Sequence, residues 1–248
     1  MVHTRARGEA LFPERADLEW LEQSRKEMGS VVFNCQYQQN PIAPDGSPLK
    51  WEWFKTYEER LQRDRYQLVV QSWDTGMSAN PNAACSVCTT WGFTDNVWHL
   101  LDVFRDRLDY PDLLKKVRRS ADEWRADEVI IEKAATGIPL LQDCRREDRA
   151  RFLAETPYED KEIRFNRSLA AVEAGKIYLP REAHWLPAFK RELQAFPRGN
   201  LKDQVDSFSQ FINWLQSHRF FSALGRDHPI NVGRREKVMA RRERRPRR

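Results

Sequence analysis

Residues 66–74 read YQLVVQSWD and residues 128–132 read EVIIE, two apolar runs that each end in a carboxylate. Short runs rich in valine and isoleucine predict buried β-strands. A carboxylate at the end of a buried strand costs free energy unless it is paired or binds a cation. If the two strands lie side by side in one sheet, Asp74 and Glu132 come within a few ångströms of each other.

The pattern around these two runs predicts a mixed α/β fold, a five-stranded sheet flanked by helices. Three strands come first, and helices then alternate with two further strands. The predicted strands are 66–74, 83–93, 97–104, 128–132 and 151–155. The predicted helices are 111–125, 137–145, 163–175, 185–196 and 202–216, with a short extended piece at 177–179.

The composition divides the chain into three segments. Residues 1–60 are polar or broken by prolines, with one helical stretch at 17–28, and we predict an extension or linker there. Residues 61–220 hold the α/β pattern. Residues 221–248 form a basic tail that we expect to be disordered, and its last 18 residues hold nine Arg and Lys against two Glu. Such a tail either contacts phosphate backbones or is only a solvated end.

Several classes of protein are excluded by the sequence. No run of about 18 apolar residues is present, so we expect no membrane partner. The amino-terminal residues lack the apolar core of a secretory leader. Cys85 and Cys88 form a CxxC pair without a second pair or nearby histidines, which argues against a zinc site.

Two further acids, Asp203 and Asp206, lie near the start of the last predicted helix. Their spacing places them on one helix face, beside an apolar face that can dock on the sheet. If that helix packs across the two strands, it adds both acids at the strand ends. The resulting cluster of oxygen ligands suits Mg²⁺ or Mn²⁺. Two such ions about 4 Å apart activate a water and stabilise the leaving oxygen of a phosphodiester.

Each acid also has a purely structural explanation, and these alternatives stay open. They are a turn before Gly76 for Asp74, a surface ion pair with Lys133 or Arg145 for Glu132, the third position of a helix capped by Asn200 for Asp203, and a solvated helix position for Asp206. Each explanation covers one acid alone. None of them explains why two apolar strands and one amphipathic helix each carry acids, and this shared arrangement favours the metal cluster.

Several local motifs resemble the nuclease half of phage-type terminase large subunits, which have an RNase H-like fold. FNCQYQQNP at 33–41 and KDQVDSFSQ at 202–210 are the most specific of them. The others are SWDTG at 72–76, DVFRDRLDYPDLLKKV at 102–117, VIIEKAATG at 129–137 and DKEIRFNRSLAAVEAGKIYLP at 160–180. The matches span residues 10–216. The resemblance implies an RNase H-like sheet in which the first and fourth predicted strands are adjacent.

The resemblance also implies which acids act, with two Mg²⁺ or Mn²⁺ ions as cofactors. Asp74 and Glu132 match the first two metal-binding acids of the family, and Asp203 and Asp206 match acids of its third motif. That motif usually reads His-Asp-Asp-x-Val-Asp-Ala, whereas Lys202 here replaces one acid. The replacement leaves open whether Asp203 or Asp206 is the principal ligand.

Basic residues beside these acids are predicted to contact DNA. Lys161 and Arg164 lie in a region that faces DNA in similar proteins, while Arg198 and Lys202 flank a Gly-Asn pair near the proposed site. The implied substrate is concatemeric double-stranded DNA, cut in the cytoplasm of an infected or lysogenic host cell. A packaging ATPase, a portal and a small terminase subunit are the implied partners.

One family feature is absent from the sequence. A complete terminase large subunit starts with a packaging ATPase, but no GxxxxGK(S/T) phosphate loop occurs here. Residues 10–60 resemble the last part of that ATPase half, so we expect a nuclease without its own ATPase. Two alternatives stay open: a related nuclease of the resolvase or transposase kind, and a catalytically defective remnant that only binds DNA.

Overall fold

The computed structural model describes residues 8–38, 48–76, 80, 84–133, 137–147, 150–156 and 159–217. Three features of the sequence lie outside the described residues: the predicted basic tail at 221–248, residues 39–41 of the QYQQNP motif, and residues 134–136 of the VIIEKAATG motif. In chain order the elements are α1 (Leu18–Tyr37), β1 (Lys55–Tyr57), β2 (Leu68–Asp74), β3 (Ser86–Thr94), β4 (Val97–Asp106), α2 (Tyr110–Glu123), β5 (Glu128–Glu132), α3 (Gly137–Glu147), β6 (Arg151–Glu155), α4 (Lys161–Glu173), β7 (Ile177–Pro180), α5 (Leu186–Ala195) and α6 (Asp203–Ser217).

The described strands form one mixed sheet in the order β1-β7-β4-β3-β2-β5-β6. The α/β class that the sequence predicts is confirmed, but the predicted count of five strands is wrong, because β1 and β7 extend the sheet beyond β4. These two strands are three and four residues long. Neither is long enough to carry the alternation of polar and apolar residues that marks a strand in a sequence. They are held instead by their parallel pairing with each other and by the pairing of β7 with β4.

Strand β2, which ends in Asp74, is paired with a strand on each side. It pairs antiparallel with β3 and parallel with β5. Strands β2 and β5 correspond to the first and fourth predicted strands, which were expected to be adjacent. The register of the parallel pair places Trp73 opposite Ile131. The next residues, Asp74 and Glu132, therefore end adjacent strands at the same edge of the sheet.

The sheet separates two buried clusters of apolar side chains. Val70 and Ile130 belong to the cluster beneath α4, α5 and α6, whereas Trp73 and Ile131 belong to the cluster beneath α2 and α3. Successive residues of a strand point to opposite faces. Asp74 and Glu132 consequently lie on the same face of the sheet, the face that α6 covers.

Helix α6 packs across that face with its apolar side chains buried. Val205, Phe208, Ile212 and Leu215, the face predicted to dock, are each at most 1% exposed. The ring of Phe211 stacks on Trp91 of β3 with the centroids 4.2 Å apart. Full burial of an aromatic or aliphatic side chain contributes about 1.5–3 kcal/mol. The stability gained along the helix therefore fixes the position of the acids at its start.

Helix α1 lies against α4 on the outside of the domain. Asp17, where the predicted helical stretch starts, is its N-cap, and the Asp17 side chain accepts a hydrogen bond from the backbone N–H of Trp20. The helix is interrupted at Gly29, where φ is +79° and a Cβ atom would come within 2.9 Å of the Ala170 backbone. Only glycine allows this close approach. Among the described helices, none has the length and apolar character needed to cross a membrane.

Candidate active site

Asp74 and Glu132 form the floor of the candidate site. Within the described part of the chain, no hydrogen bond or ion pair reaches either carboxylate, and Glu132 pairs with neither Lys133 nor Arg145. Burial, together with the negative charges of Asp206, Glu132 and Asp203, raises the pKa of Asp74 to about 8. Asp74 thus keeps a proton at neutral pH unless a cation takes its place.

Asp203 is the first residue of α6, not the third residue of a helix capped by Asn200. Its Oδ2 accepts a hydrogen bond from the backbone N–H of Cys85 at 3.2 Å. The same oxygen lies 4.0 Å from a guanidinium nitrogen of Arg105 on β4. These contacts hold Asp203 towards β3 and β4, beside the Asp74 carboxylate whose pKa it helps to raise.

Asp206 lies one turn later and is 2% exposed. Its two oxygens face two cations of α4: Lys161 Nζ donates a hydrogen bond to Oδ2, and Arg164 Nη2 lies 3.4 Å from Oδ1. The pKa of Asp206 is raised overall, because burial and the negative charge of Asp203 together outweigh the hydrogen bond from Lys161 and the charges of Lys161 and Arg164. Burial also opposes the charge of Lys161, but its hydrogen bond to Asp206 and the negative charges of Asp206 and Asp74 raise its pKa overall.

A buried polar clamp that our prediction from the sequence missed holds α6 onto β2 and β3. Ser207 Oγ donates to the carbonyl of Ser72 at 2.8 Å, and Ser72 Oγ donates to the carbonyl of Ser207 at 2.9 Å. Thr89 lies 2.9 Å from the Ser207 hydroxyl, and Gln210 Nε2 donates to Ser72 Oγ at 3.0 Å. The signal in the sequence was polar residues at apolar positions, within VVQSWD and DSFSQ. The clamp sets the distance between the helix acids and the strand acids.

Glu192 on α5 is a second contributor that sequence reasoning missed. It is 5% exposed, and its two oxygens accept hydrogen bonds from the backbone N–H and the side-chain amide of Gln204, both at 2.6 Å. Glu192 also faces Arg105 at 3.6 Å. A carboxylate that bonds the free N–H groups of a helix start stabilises that start. Glu192 therefore positions the turn of α6 that carries Asp203 and Asp206.

The four residues predicted to contact DNA lie in different surroundings. Lys161 and Arg164 both contact the Asp206 carboxylate. Arg164 is 8% exposed, and its Nε has no hydrogen-bond partner among the described residues. Lys202 immediately precedes α6, and its Nζ lies 5.7 Å from the ring centroid of Phe196. Arg198 bonds none of the four acids in the described part of the chain.

The four predicted acids thus lie near one another, but they differ in whether groups of the protein bond to them. Among the described residues, no three His, Cys, Asp or Glu side chains are gathered closely enough to hold a metal ion together. Within that same part of the chain Asp74 and Glu132 have no bonded partner, whereas Asp203 and Asp206 are engaged by groups of the protein itself. The metal-binding roles of all four acids stay predictions.

Comparisons with known proteins agree with this architecture. The family model of the terminase RNase H-like domain matches residues 71–214, more than half of the chain. The large terminase of a thermophilic bacteriophage, in complex with ADP, matches with a TM-score of 0.60 and 12% identity, over 82% of this chain and 53% of that chain. Another crystal form of the same phage terminase gives a TM-score of 0.57 and 14% identity, over 80% and 52% of the two chains.

Shorter structures and other sequences complete the comparison. The magnesium-bound nuclease of the large terminase from thermophilic phage G20c gives a TM-score of 0.48 and 13% identity, over 65% of this chain and 93% of that chain. A comparison with curated protein sequences gave no match. The chain spans about half the length of the ADP-bound terminase and of its other crystal form.

Proposed function

Since the chain belongs to the terminase RNase H-like domain family, we propose that it is a metal-dependent endonuclease that cuts double-stranded DNA during viral genome packaging. The observation that carries the proposal is the meeting of Asp74 and Glu132 at the ends of two adjacent parallel strands, beneath a helix that adds Asp203 and Asp206. Three separate segments of the chain thus contribute acids to one region, which supports a site for a charged substrate.

The donor set at the floor of the site fits a hard divalent cation. Asp74 is a largely buried carboxylate without a hydrogen-bond partner in the described residues, and its pKa is raised to about 8. A cation between Asp74 and Glu132 would replace that proton and offset the repulsion between the two acids. Carboxylate oxygens favour Mg²⁺ or Mn²⁺ over softer metals. When bound, such an ion polarises the phosphate and lowers the pKa of the attacking water.

The reaction we propose is hydrolysis of the phosphodiester. A water oxygen forms a bond to phosphorus, one P–O ester bond breaks, and the departing oxygen receives a proton. Asp74 and Glu132 hold the cation, and Asp203 and Asp206 add negative charge on the opposite side. Lys161, Arg164, Arg198 and Lys202 are the proposed phosphate contacts. Phosphate contacts carry no base information, so we expect little sequence preference.

The wider setting of this activity forms part of the proposal. We propose that residues 61–220 are the nuclease domain, that residues 1–60 correspond to the end of an ATPase half, and that the basic tail is an accessory segment. Concatemeric DNA inside the host cell is the proposed substrate. A packaging ATPase, a portal and a small terminase subunit are the proposed partners.

Cleavage of supercoiled plasmid DNA in Mn²⁺ tests the proposal. We expect the unaltered chain to nick and linearise the plasmid, and Asp74→Asn to lower the rate by at least about 100-fold because the substitution removes a metal ligand. Asp112→Asn is the matched control, since Asp112 is exposed on α2 and pairs with Lys115 of the same helix. Circular dichroism verifies that both variants fold. Full activity in Asp74→Asn would refute the assignment of the site.

The engagement of Asp206 by Lys161 and Arg164 favours one competing function, a defective remnant that binds DNA without cutting it. Calorimetry separates the two functions. Heat of Mn²⁺ binding that disappears in Asp74→Asn supports the nuclease, whereas the absence of any Mn²⁺ uptake at millimolar concentration supports the remnant.

A further inference from the structure

The two sides of the candidate site differ in how their negative charge is balanced. On one side, Asp74 and Glu132 have no cationic partner bonded to them within the described residues. On the other side, Asp206 is bonded by Lys161 and faces Arg164, so each of its oxygens is occupied by a side chain of α4. A metal ion would have to displace one of these cations before Asp206 could bind it.

The burial of Asp206 makes such a displacement costly. Its side chain is 3% exposed, and the Arg164 side chain is 9% exposed. A divalent ion on Asp206 would either leave the buried Arg164 guanidinium without its carboxylate or lie beside that positive charge, and an uncompensated buried charge is strongly unfavourable. The pairing of Asp206 with α4 is therefore a fixed part of the site.

Lys161 is placed differently from Arg164 within this pairing. It is the first residue of α4, and its side chain remains 55% exposed while its Nζ bonds the buried Asp206. An ammonium group has three N–H donors, and Asp206 is the one hydrogen-bond partner of Nζ among the described residues. The other two donors therefore have no acceptor among the described residues, and the side chain is exposed enough for a phosphate to contact them. The charge of Lys161 also acts on Asp74, which places it near the strand acids.

We infer that this site takes one divalent ion, held by Asp74 and Glu132, and that the Lys161 ammonium anchored on Asp206 supplies the second positive charge beside the phosphate. In two-metal nucleases a second ion stabilises charge on the oxygens of the transferred phosphate. An ammonium is a compact point charge that binds phosphate oxygens. This inference rests on the proposed nuclease function and replaces the two ions that the family resemblance implied.

The inference is tested by counting bound Mn²⁺ ions with calorimetry and electron paramagnetic resonance in the unaltered chain. We expect one ion per chain. Lys161→Met removes the charge but keeps a stem of similar length, so Asp206 gains a free oxygen and a second ion binds. Lys161→Arg keeps the charge and should keep a single ion. Lys115→Met is the matched control, because Lys115 is 77% exposed on α2, outside the site, and this variant should also bind one ion.

The Mn²⁺ dependence of plasmid cleavage gives a second, independent measurement. In the unaltered chain the rate should rise with the first power of Mn²⁺ concentration below saturation, and in Lys161→Met with its square. At the same low Mn²⁺ concentration, Lys161→Met should cut about 100-fold more slowly, the loss typical for one stabilising group at a transition state.

The outcomes separate this inference from the proposed function. Two bound ions in the unaltered chain overturn the role of Lys161 but leave the nuclease intact. The role of Lys161 is also overturned if a folded Lys161→Met variant still binds one ion and its cleavage rate still rises with the first power of Mn²⁺ concentration. No bound Mn²⁺ in the unaltered chain overturns the proposed function itself, and with it the inference.

Discussion

Replacing Asp74 by asparagine should stabilise the metal-free protein, although it removes the proposed activity. The substitution keeps the shape of the side chain and removes its charge. The native carboxyl group is buried beside Asp206, Glu132 and Asp203, which together with burial raise its pKa from 3.8 to about 8. The folded state therefore holds a proton between these pH values that the unfolded chain has already released. The contribution of this group to stability is full below about pH 4 and is lost as pH rises towards 8.

The size of the effect follows from the same pKa difference. A rigid site would lose about 6 kcal/mol, because each pH unit corresponds to about 1.4 kcal/mol. Real protein sites respond with an effective dielectric constant of about 20, since water enters and neighbouring charges rearrange. We therefore expect the free energy of unfolding of Asp74→Asn at pH 8 to exceed that of the unaltered chain by about 2 kcal/mol. The difference between the two proteins should nearly vanish at about pH 4.

Urea denaturation in EDTA, followed by the fluorescence of the nine tryptophans, measures this difference. Other groups also titrate: burial raises the pKa of Asp102 and lowers that of His99. Both are present in the variant, so subtracting its curve from that of the unaltered chain removes their contributions and leaves that of Asp74 with the groups it interacts with. Asp112→Asn should leave the curve unchanged. If Asp74→Asn were no more stable than the unaltered chain at about pH 8, the crowding of acids at this site would be refuted.

Two further substitutions test the positioning of α6, and both are read by urea denaturation and Mn²⁺ titration. Ser207→Ala removes the hydroxyl that bonds Ser72 and Thr89, so we expect a loss of about 1–3 kcal/mol in the free energy of unfolding; an unchanged value would show that the clamp contributes nothing. Glu192→Ala leaves the backbone N–H of Gln204 without its acceptor, so we expect a similar loss together with weaker Mn²⁺ binding, about 10-fold or more. Weaker folding with unaltered Mn²⁺ affinity would limit Glu192 to a structural role.

The parts of the fold that could be predicted from the sequence are those with a local signal. Strand β5 coincides with its predicted bounds because its signal, three apolar residues between two glutamates, lies wholly within the strand, and the carboxylate at its end was visible for the same reason. Strand β1 could not be predicted, because its three residues gain their pairing from β7, more than a hundred residues later.

The candidate site shows the same division between local and distant signals. Asp74 and Glu132 were identifiable because each ends an apolar run, and Asp203 and Asp206 because their spacing places them on one helix face beside an apolar face. The bond between Lys161 and Asp206 could not be identified from the sequence, because the two residues are 45 positions apart and no local pattern links them. Glu192 resembled any other acid of an amphipathic helix, and its burial depends on how α5 packs against α6.

The contact between α1 and α4 has a consequence for how the site responds to the rest of the protein. Helix α4 has 13 residues and so is about 20 Å long. Near its far end, Ala170 meets Gly29 and Glu173 accepts a hydrogen bond from the backbone N–H of Ser30 at 2.7 Å. Its near end carries Lys161. The same helix thus contacts the amino-terminal segment at one end and the candidate site at the other. A chain cut before residue 61 would lose the contacts that Gly29 and Ser30 make with α4.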